Sequence, residues 1–296
     1  GIGRAAAPSG ASRGKHEVQA FPKAGVNEAV RRVKKLVAPK LLGKDPTAQE
    51  QVDAFLRRLD GTPNLRRIGG NSVVAISMAV AKATAAARGV PLYRYLGGEE
   101  LRLPYPLGNV LGGGAHAGGE APDIQEFLSL PVGARRFVDA AFANAKVHQR
   151  VGKLLRQRDP SFTRGKGDEG AWAPKLGNLE ALEVVAQACE EVGEEVGFEI
   201  RPALDLAASG LYDARKRAYV YTKERKVLST GEQVDFVVGL IRDFNLAYVE
   251  DPIREDDFES FAELTRKAGK RCLICGDDLF VTNPARIRKG IKLRAA

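Results

Sequence analysis

Apolar positions along this chain of 296 residues change period once, and the change marks its organisation. In the first third, Val30, Val33 and Val37, then Val52, Phe55, Leu56 and Leu59, recur at helical spacing, and the Ala-rich stretch 72–88 reads as a buried helix. Beyond Leu103 and Pro104 come short apolar runs over 105–111, 124–130, 198–206, 246–250 and 271–276, which read as strands. Between the second and third runs two helix-patterned stretches follow one another, 136–156 and 179–192. From the third run onward, strand and helix alternate singly, the signature of a parallel sheet. The pattern predicts a small, mostly helical domain over 1–103 and a larger α/β domain over 104–296.

Three of the strand-like runs end in an acid: Asp205, Glu250 and Asp277, spaced 45 and 27 residues apart. Parallel strands joined by helical crossovers bring their ends to one rim, so these acids are expected to converge despite that spacing. Taken singly, each is explained as well by a solvated turn or a helix cap. Together they are harder to dismiss, because Glu250-Asp251 and Asp277-Asp278 each place paired acids directly after an apolar run, and like charges repel unless something positive lies between them. Three hard oxygen donors suit Mg²⁺.

Composition narrows the function classes. A formal charge of +9 could indicate nucleic acid, but the Lys and Arg residues are interleaved with apolar positions along helices, and aromatics make up only 7% with no basic-aromatic alternation. Nucleic acid is not the expected partner; an anionic small molecule is. No apolar run has the length of a membrane span, and no signal peptide opens the chain, so a cytoplasmic protein is expected. Cys272 and Cys275 form a C-x-x-C within a strand-like run, where an odd separation sends the side chains to opposite faces, so neither zinc nor a redox pair is expected there. Cys189 falls in an apolar helical stripe with Leu182, Val185 and Val192 and reads as core.

Glycine-rich loops add the remaining chemistry. The run 112–119 lacks the Lys-Ser or Lys-Thr of a phosphate-binding P-loop, but it places His116 where a ligand can approach the backbone. A second loop, 165–172, carries Asp168 and Glu169 beside the only Trp, and a third, 8–14, is rich in small hydroxylic residues.

These segments together resemble the enolase family, the phosphopyruvate hydratases of glycolysis. The lid motif of that family corresponds to Ser9-Gly10-Ala11-Ser12, its substrate loop to Gly114-Ala115-His116-Ala117-Gly118-Gly119, and a strand motif to Asp123-Ile124-Gln125-Glu126-Phe127. Its acid loop corresponds to Gly167-Asp168-Glu169-Gly170, and its metal motifs to Leu204-Asp205, Val249-Glu250-Asp251-Pro252 and Asp277-Asp278-Leu279. Segments 79–82 and 91–98 match the small domain, so the resemblance runs the length of the chain in order.

The resemblance implies an α/β fold: an incomplete enolase-type TIM barrel that starts ββαα, preceded by a small α+β cap domain. It implies a lyase that reversibly removes water from 2-phosphoglycerate to give phosphoenolpyruvate with two Mg²⁺ ions. Asp205, Glu250 and Asp277 would hold the first ion and Ser12 would help hold the second. Glu169 would be the general acid, with Glu126 beside it keeping a proton available, while His116 and Gln125, together with Glu126, Glu250 and Asp277, would contact the substrate. A homodimer or larger homo-oligomer is expected. The short link 20–23 and the Gly-Ala-His loop give an archaeal character.

There are departures from the family pattern. Arg13 stands where Thr is usual, adding a cation to the lid, and Ala171 replaces a Gly. The opening strand motif of the family is not found in the sequence, which starts at Gly1 and stops at Ala296, short of the strand that the resemblance expects to carry the general-base Lys. Lys289 and Lys292 are the nearest candidates, but they follow Asn283-Pro284 in a helix-like run. The expectation is therefore a fragment with five of eight barrel strands, inactive as a dehydratase and prone to aggregate. Two other readings stand beside it: a different metal-dependent barrel of the same superfamily, against which the lid and acid loop argue, and a non-catalytic chain acting as a binding or scaffold protein.

Overall fold

The computed structural model describes residues 1–296 apart from positions 9, 11, 12, 98–101, 118, 159 and 160. The chain divides into two compact units, Gly1–Arg102 and Leu103–Ala296. Ser12 and most of the lid motif lie outside the described residues, as does Gly118 of the substrate loop.

The first unit is built from helices α1 (Gly25–Arg32), α2 (Ala38–Leu41), α3 (Gln49–Asp60), α4 (Gly70–Ala87) and α5 (Leu92–Gly97), with a π-helical turn, Val33–Val37, between α1 and α2. Val52 and Leu56, one turn apart on α3, meet Val37, Ile68 and Val73 in a small core. The helix α3 stops at Gly61, whose φ of 69° is left-handed and whose N–H donates to the Arg57 carbonyl at 3.0 Å. Asp60, buried, accepts from Ile68 N at 2.6 Å and so ties the following loop to the helix end. No strand occurs among the described residues of this unit, so the strands of an α+β cap are not found there.

The second unit holds β1 (Gly108–Gly112), a single turn α6 (Gly114–Ala117), β2 (Glu126–Leu130), α7 (Phe137–Arg158), α8 (Asn178–Val196), β3 (Arg201–Asp205), β4 (Tyr212–Asp213), β5 (Ala218–Tyr221), β6 (Lys226–Leu228), α9 (Thr230–Asp243), β7 (Tyr248–Glu250), α10 (Phe258–Ala268), β8 (Leu273–Cys275), α11 (Asp277–Phe280) and α12 (Pro284–Leu293). Its main sheet has five strands in the order β1-β2-β3-β7-β8. The first two pairings are antiparallel and the last two parallel. That is the ββαα opening followed by βα units, an incomplete barrel. The strands β2 and β3 are buried along four of their five residues, because helices cover one face and the other lines the interior.

The stripe Ala181, Leu182, Val185, Ala188, Cys189 and Val192 on α8 is buried against α7 and the sheet. This helix ends at Gly197 (φ 77°), whose N–H donates to the Gly193 carbonyl. Helix α9 starts with a capping box: Ser229 Oγ accepts from Glu232 N, and the Glu232 carboxylate accepts from Ser229 N at 2.8 Å. The single alternation expected after β3 is interrupted by an antiparallel sheet of three strands, β4-β5-β6. These strands are two to four residues long, too short for alternation to stand out in sequence.

Candidate active site

One row of pairing lines up the candidate residues. Gly112 pairs with Glu126, Glu126 with Asp205, Asp205 with Glu250, and Glu250 with Cys275. Because β2 runs antiparallel to β3, its first residue comes level with the last residue of β3. Glu126, Asp205 and Glu250 therefore stand on three neighbouring strands at one rim, which is what register alone dictates.

Asp205, Glu250 and Asp251 bring carboxylate oxygens within 4.8 Å of one another. Burial pushes the Asp205 carboxyl up to about 7, helped by the charge of Glu250 and offset by hydrogen bonds from Ala207 N and Gln125. Gln125 Nε2 donates to Asp205 Oδ2 at 2.9 Å, and Ala207 N donates to Oδ1 at 2.9 Å. Burial likewise raises Glu250, against a hydrogen bond from the Tyr248 hydroxyl at 2.6 Å and with the charge of Asp277 adding to the rise. Asp251 is pushed up to about 8, by burial first. The leading charges that act on all three are other carboxylates, and among the described residues no cation is among the leading causes.

Asp251, which sequence reading did not single out as a site residue, has a structural task. Its oxygens accept from Asp278 N at 2.8 Å and Leu279 N at 3.4 Å, capping α11, and its own N–H donates to the Cys275 carbonyl. The turn is tight enough to put Asp251 at a φ of 39°. Asp277, the first residue of α11, is exposed and lies outside the triplet of acids, yet close enough to act on Glu250.

A second cluster adjoins the first. His116, Glu126 and Glu169 also bring ligating atoms within 4.8 Å of one another. Burial is the main cause that pushes Glu126 up to about 9, followed by a hydrogen bond with Glu169 and the charges of Asp205, Glu169 and Glu250. Glu126 therefore keeps its proton at neutral pH and shares it with Glu169. Asn109 Nδ2 donates to Glu169 Oε2 at 2.9 Å, and the buried His116 meets Asp168 through Nδ1 at 2.9 Å. Asn109 and Asp168 were not singled out from the sequence, although Asp168 sits inside the acid loop motif.

The loop that carries Asp168 and Glu169 is held at its base. Trp172 exchanges backbone hydrogen bonds with β1, to Val110 O and from Gly112 N, and its indole N–H donates to the His148 carbonyl at 2.7 Å. Gly152 on α7 faces that ring so closely that a Cβ there would come within 2.7 Å of it. Gly167 passes under His116, where a Cβ would fall 2.5 Å from the His116 carbonyl oxygen. The glycines thus permit the close passage that presents the two acids to the rim. Cys275 in the rim row and Cys272 just before β8 are free, with burial pushing their thiols up to about 11 and about 12, so neither is a thiolate at neutral pH.

Comparison with known proteins agrees with this geometry. The family model described as "Enolase, N-terminal domain" matches residues 1–96, and that described as "Enolase, C-terminal TIM barrel domain" matches residues 100–296. A curated enolase from Methanothermobacter thermautotrophicus is 54% identical over 297 residues, covering 100% of this chain and 71% of the relative. Enolases from Halorubrum lacusprofundi and Pyrobaculum aerophilum are 51% and 49% identical, again across 100% of this chain and over 72% and 70% of their own lengths. With both domains matched in order and about half of all positions shared with archaeal enolases, this chain belongs to the enolase family.

Proposed function

We propose that the strand-end rim serves the family reaction, the reversible removal of water from 2-phospho-D-glycerate to give phosphoenolpyruvate. The observation that carries this reading is the meeting of His116, Glu126 and Glu169 beside the acids Asp205, Glu250 and Asp251, with burial and neighbouring carboxylates pushing Glu126 up to about 9. The oxygen-only donor set of the first cluster, Asp205, Glu250 and their neighbours, fits a hard divalent ion such as Mg²⁺ rather than a soft one.

Asp205, Glu250 and Asp277 would hold the ion. Asp251 already spends its oxygens on the start of α11, and so positions Asp277 rather than competing with it. A divalent ion bound there supplies positive charge against the substrate carboxylate as negative charge develops on it. Gln125 and the Tyr248 hydroxyl orient Asp205 and Glu250 by direct hydrogen bonds. Glu169 gives a proton to the departing C3 hydroxyl. Glu126 keeps a proton within reach, and Asn109 fixes the carboxylate that delivers it. His116, buried beneath the loop and anchored by Asp168, forms the wall the substrate meets. Abstraction of the C2 proton needs a base on the face opposite Glu169, and none of the residues assigned here fills that role. By the family resemblance Ser12 would help hold a second ion and the chain would form a homo-oligomer, and the lack of a membrane-length apolar run in the sequence supports a cytoplasmic location. Among the described residues no helix is long and apolar enough to cross a membrane.

The test is calorimetric titration of the chain with 2-phosphoglycerate, with and without Mg²⁺. Binding that requires Mg²⁺ and is lost in Glu250→Gln is expected. Equal binding in the presence of a chelator would remove the metal-dependent reading of the rim.

A further inference from the structure

We infer that His148 is a positioning residue for Glu169: from helix α7 it grips the peptide next to that acid and so sets where the acid stands against Glu126. This role rests on the proposed function, in which Glu169 is the acid. Residues 165–173 form a small hairpin with Asp168 and Glu169 at its tip, since Ala173 N donates to the Gly165 carbonyl at 2.9 Å, Gly167 N to the Ala171 carbonyl at 2.9 Å and Gly170 N to the Gly167 carbonyl at 3.1 Å. Those bonds fix the shape of the hairpin. Its direction relative to the sheet depends on what it leans against, and His148 Nε2 meets the Gly170 carbonyl at 3.1 Å, one residue from Glu169. The helix that carries His148 is anchored on both sides of it by the buried Val147 and Val151.

Two other contacts at the tip, Asp168 with His116 and Asn109 with Glu169, run through the carboxylates themselves. A carboxyl that delivers a proton changes its hydrogen bonds as it does so, because it only accepts when ionised and also donates when protonated. The Gly170 carbonyl accepts in both cases, so its bond to His148 holds the loop while the proton on Glu169 comes and goes. A carbonyl brings no proton, so Nε2 must carry one. Burial lowers the His148 pKa from its ordinary value and the Lys166 charge adds to that, while the Gly170 bond opposes it, which leaves the neutral Nε2–H tautomer at neutral pH. The ring is held in that orientation by Trp172: the two stack with centroids 4.8 Å apart and planes 23° apart, and the indole N–H donates to the carbonyl of His148 at 2.7 Å. Gly152, one turn further along α7, leaves the room that the indole occupies. One side chain thus ties the base of the loop, through the stack, to its tip, through the hydrogen bond.

The experiment follows the side-chain amide of Asn109, which donates to Glu169 Oε2 at 2.9 Å and so reports where that carboxylate stands. Its NH₂ signals are recorded by NMR in the ¹⁵N-labelled, metal-free chain at neutral pH, with Glu169→Ala marking where they fall once the contact is gone. His148→Phe keeps a ring against Trp172 but has no donor, and is expected to move the signals most of the way to the Glu169→Ala position. His148→Gln, whose side-chain amide can donate to the Gly170 carbonyl, is expected to bring them back toward the unaltered chain. Circular dichroism and the fluorescence of Trp172, the only Trp, report whether each variant keeps its fold and its loop base. Unmoved signals in a folded His148→Phe chain, or equal movement in the Phe and Gln variants, would overturn the proposal. So would a long-range ¹⁵N–¹H correlation in the unaltered chain that puts the His148 ring proton on Nδ1, a result within reach even if neither variant folds. These signals need neither Mg²⁺ nor 2-phosphoglycerate, so a failure here and a failure of the proposed reaction are told apart.

Discussion

The acids of α8 that face α7 and the acids at the strand ends belong to the same unit but live under opposite rules. On the helices, Glu195 meets Lys146 and Arg150, Glu191 meets Arg150, and Glu183 meets Arg158. Glu191 is held below the usual carboxylate range by its hydrogen bond from Gln187 and then by Arg150, and Glu195 by Lys146 and then Arg150. At the rim, Glu126, Asp205 and Asp251 are pushed to about 9, about 7 and about 8, by burial first and then, among other causes, by one another. Solvated, matched acids cost the fold little and contribute little. Buried, unmatched acids oppose folding, and a chain that keeps several of them at one end of a sheet is arranged for a cation that arrives afterwards.

The sharpest way to break this contrast is to remove one rim acid. Asp205→Asn should lower Mg²⁺ affinity beyond the roughly 10- to 100-fold typical of losing an outer-shell partner, as read by calorimetry. Unaltered affinity would show that the rim is not the binding site. Next in size, where 2-phosphoglycerate is turned over, Glu169→Gln should retain substrate binding but lower the rate roughly 10²-fold or more, measured as phosphoenolpyruvate formation. A near-normal rate would remove Glu169 from the role of acid.

Stability against pH sharpens the same comparison. An acid whose folded pKa is raised favours the folded state only while protonated, so these groups make the metal-free chain most stable below about pH 4. It should weaken as pH climbs from about 4 through 7 to 9, where Asp205, Asp251 and Glu126 ionise. Urea unfolding midpoints in chelator across that range check it; Asp205→Asn should flatten the decline, and a rising midpoint would contradict the account. The smallest effect is expected on the helix faces: Lys146→Ala should leave Mg²⁺ affinity unchanged and barely shift the thermal midpoint.

How much of this was legible in the sequence follows from the range of the signals. The change of period near residue 103, the two successive helices and the acids ending apolar runs are local patterns, and each foreshadowed an element of the large unit. The strands β4 to β6 were not, because two to four residues carry no period. Residues that act through distant partners were also hidden. Asp251 caps a helix 28 residues further on at Leu279, and Asp168 sets the imidazole of His116 from 52 residues away. Such pairings depend on which loops the folded backbone brings together. The convergence of Asp205 and Glu250 could be read because strand order and register alone produce it, whereas the displacement of Asp277 from the tight triplet depends on the turn that starts α11.

Among the described residues no cation is a leading partner of the rim acids, which on the proposed function receive one from solution. Calorimetric titration of metal-free protein with Mg²⁺ near pH 7, repeated in buffers of different ionisation enthalpy, counts the protons exchanged on binding. Saturable binding with net proton release is predicted, since carboxyls that hold protons at that pH must give them up to coordinate a metal. Absence of binding, or binding with no proton released, would contradict the account.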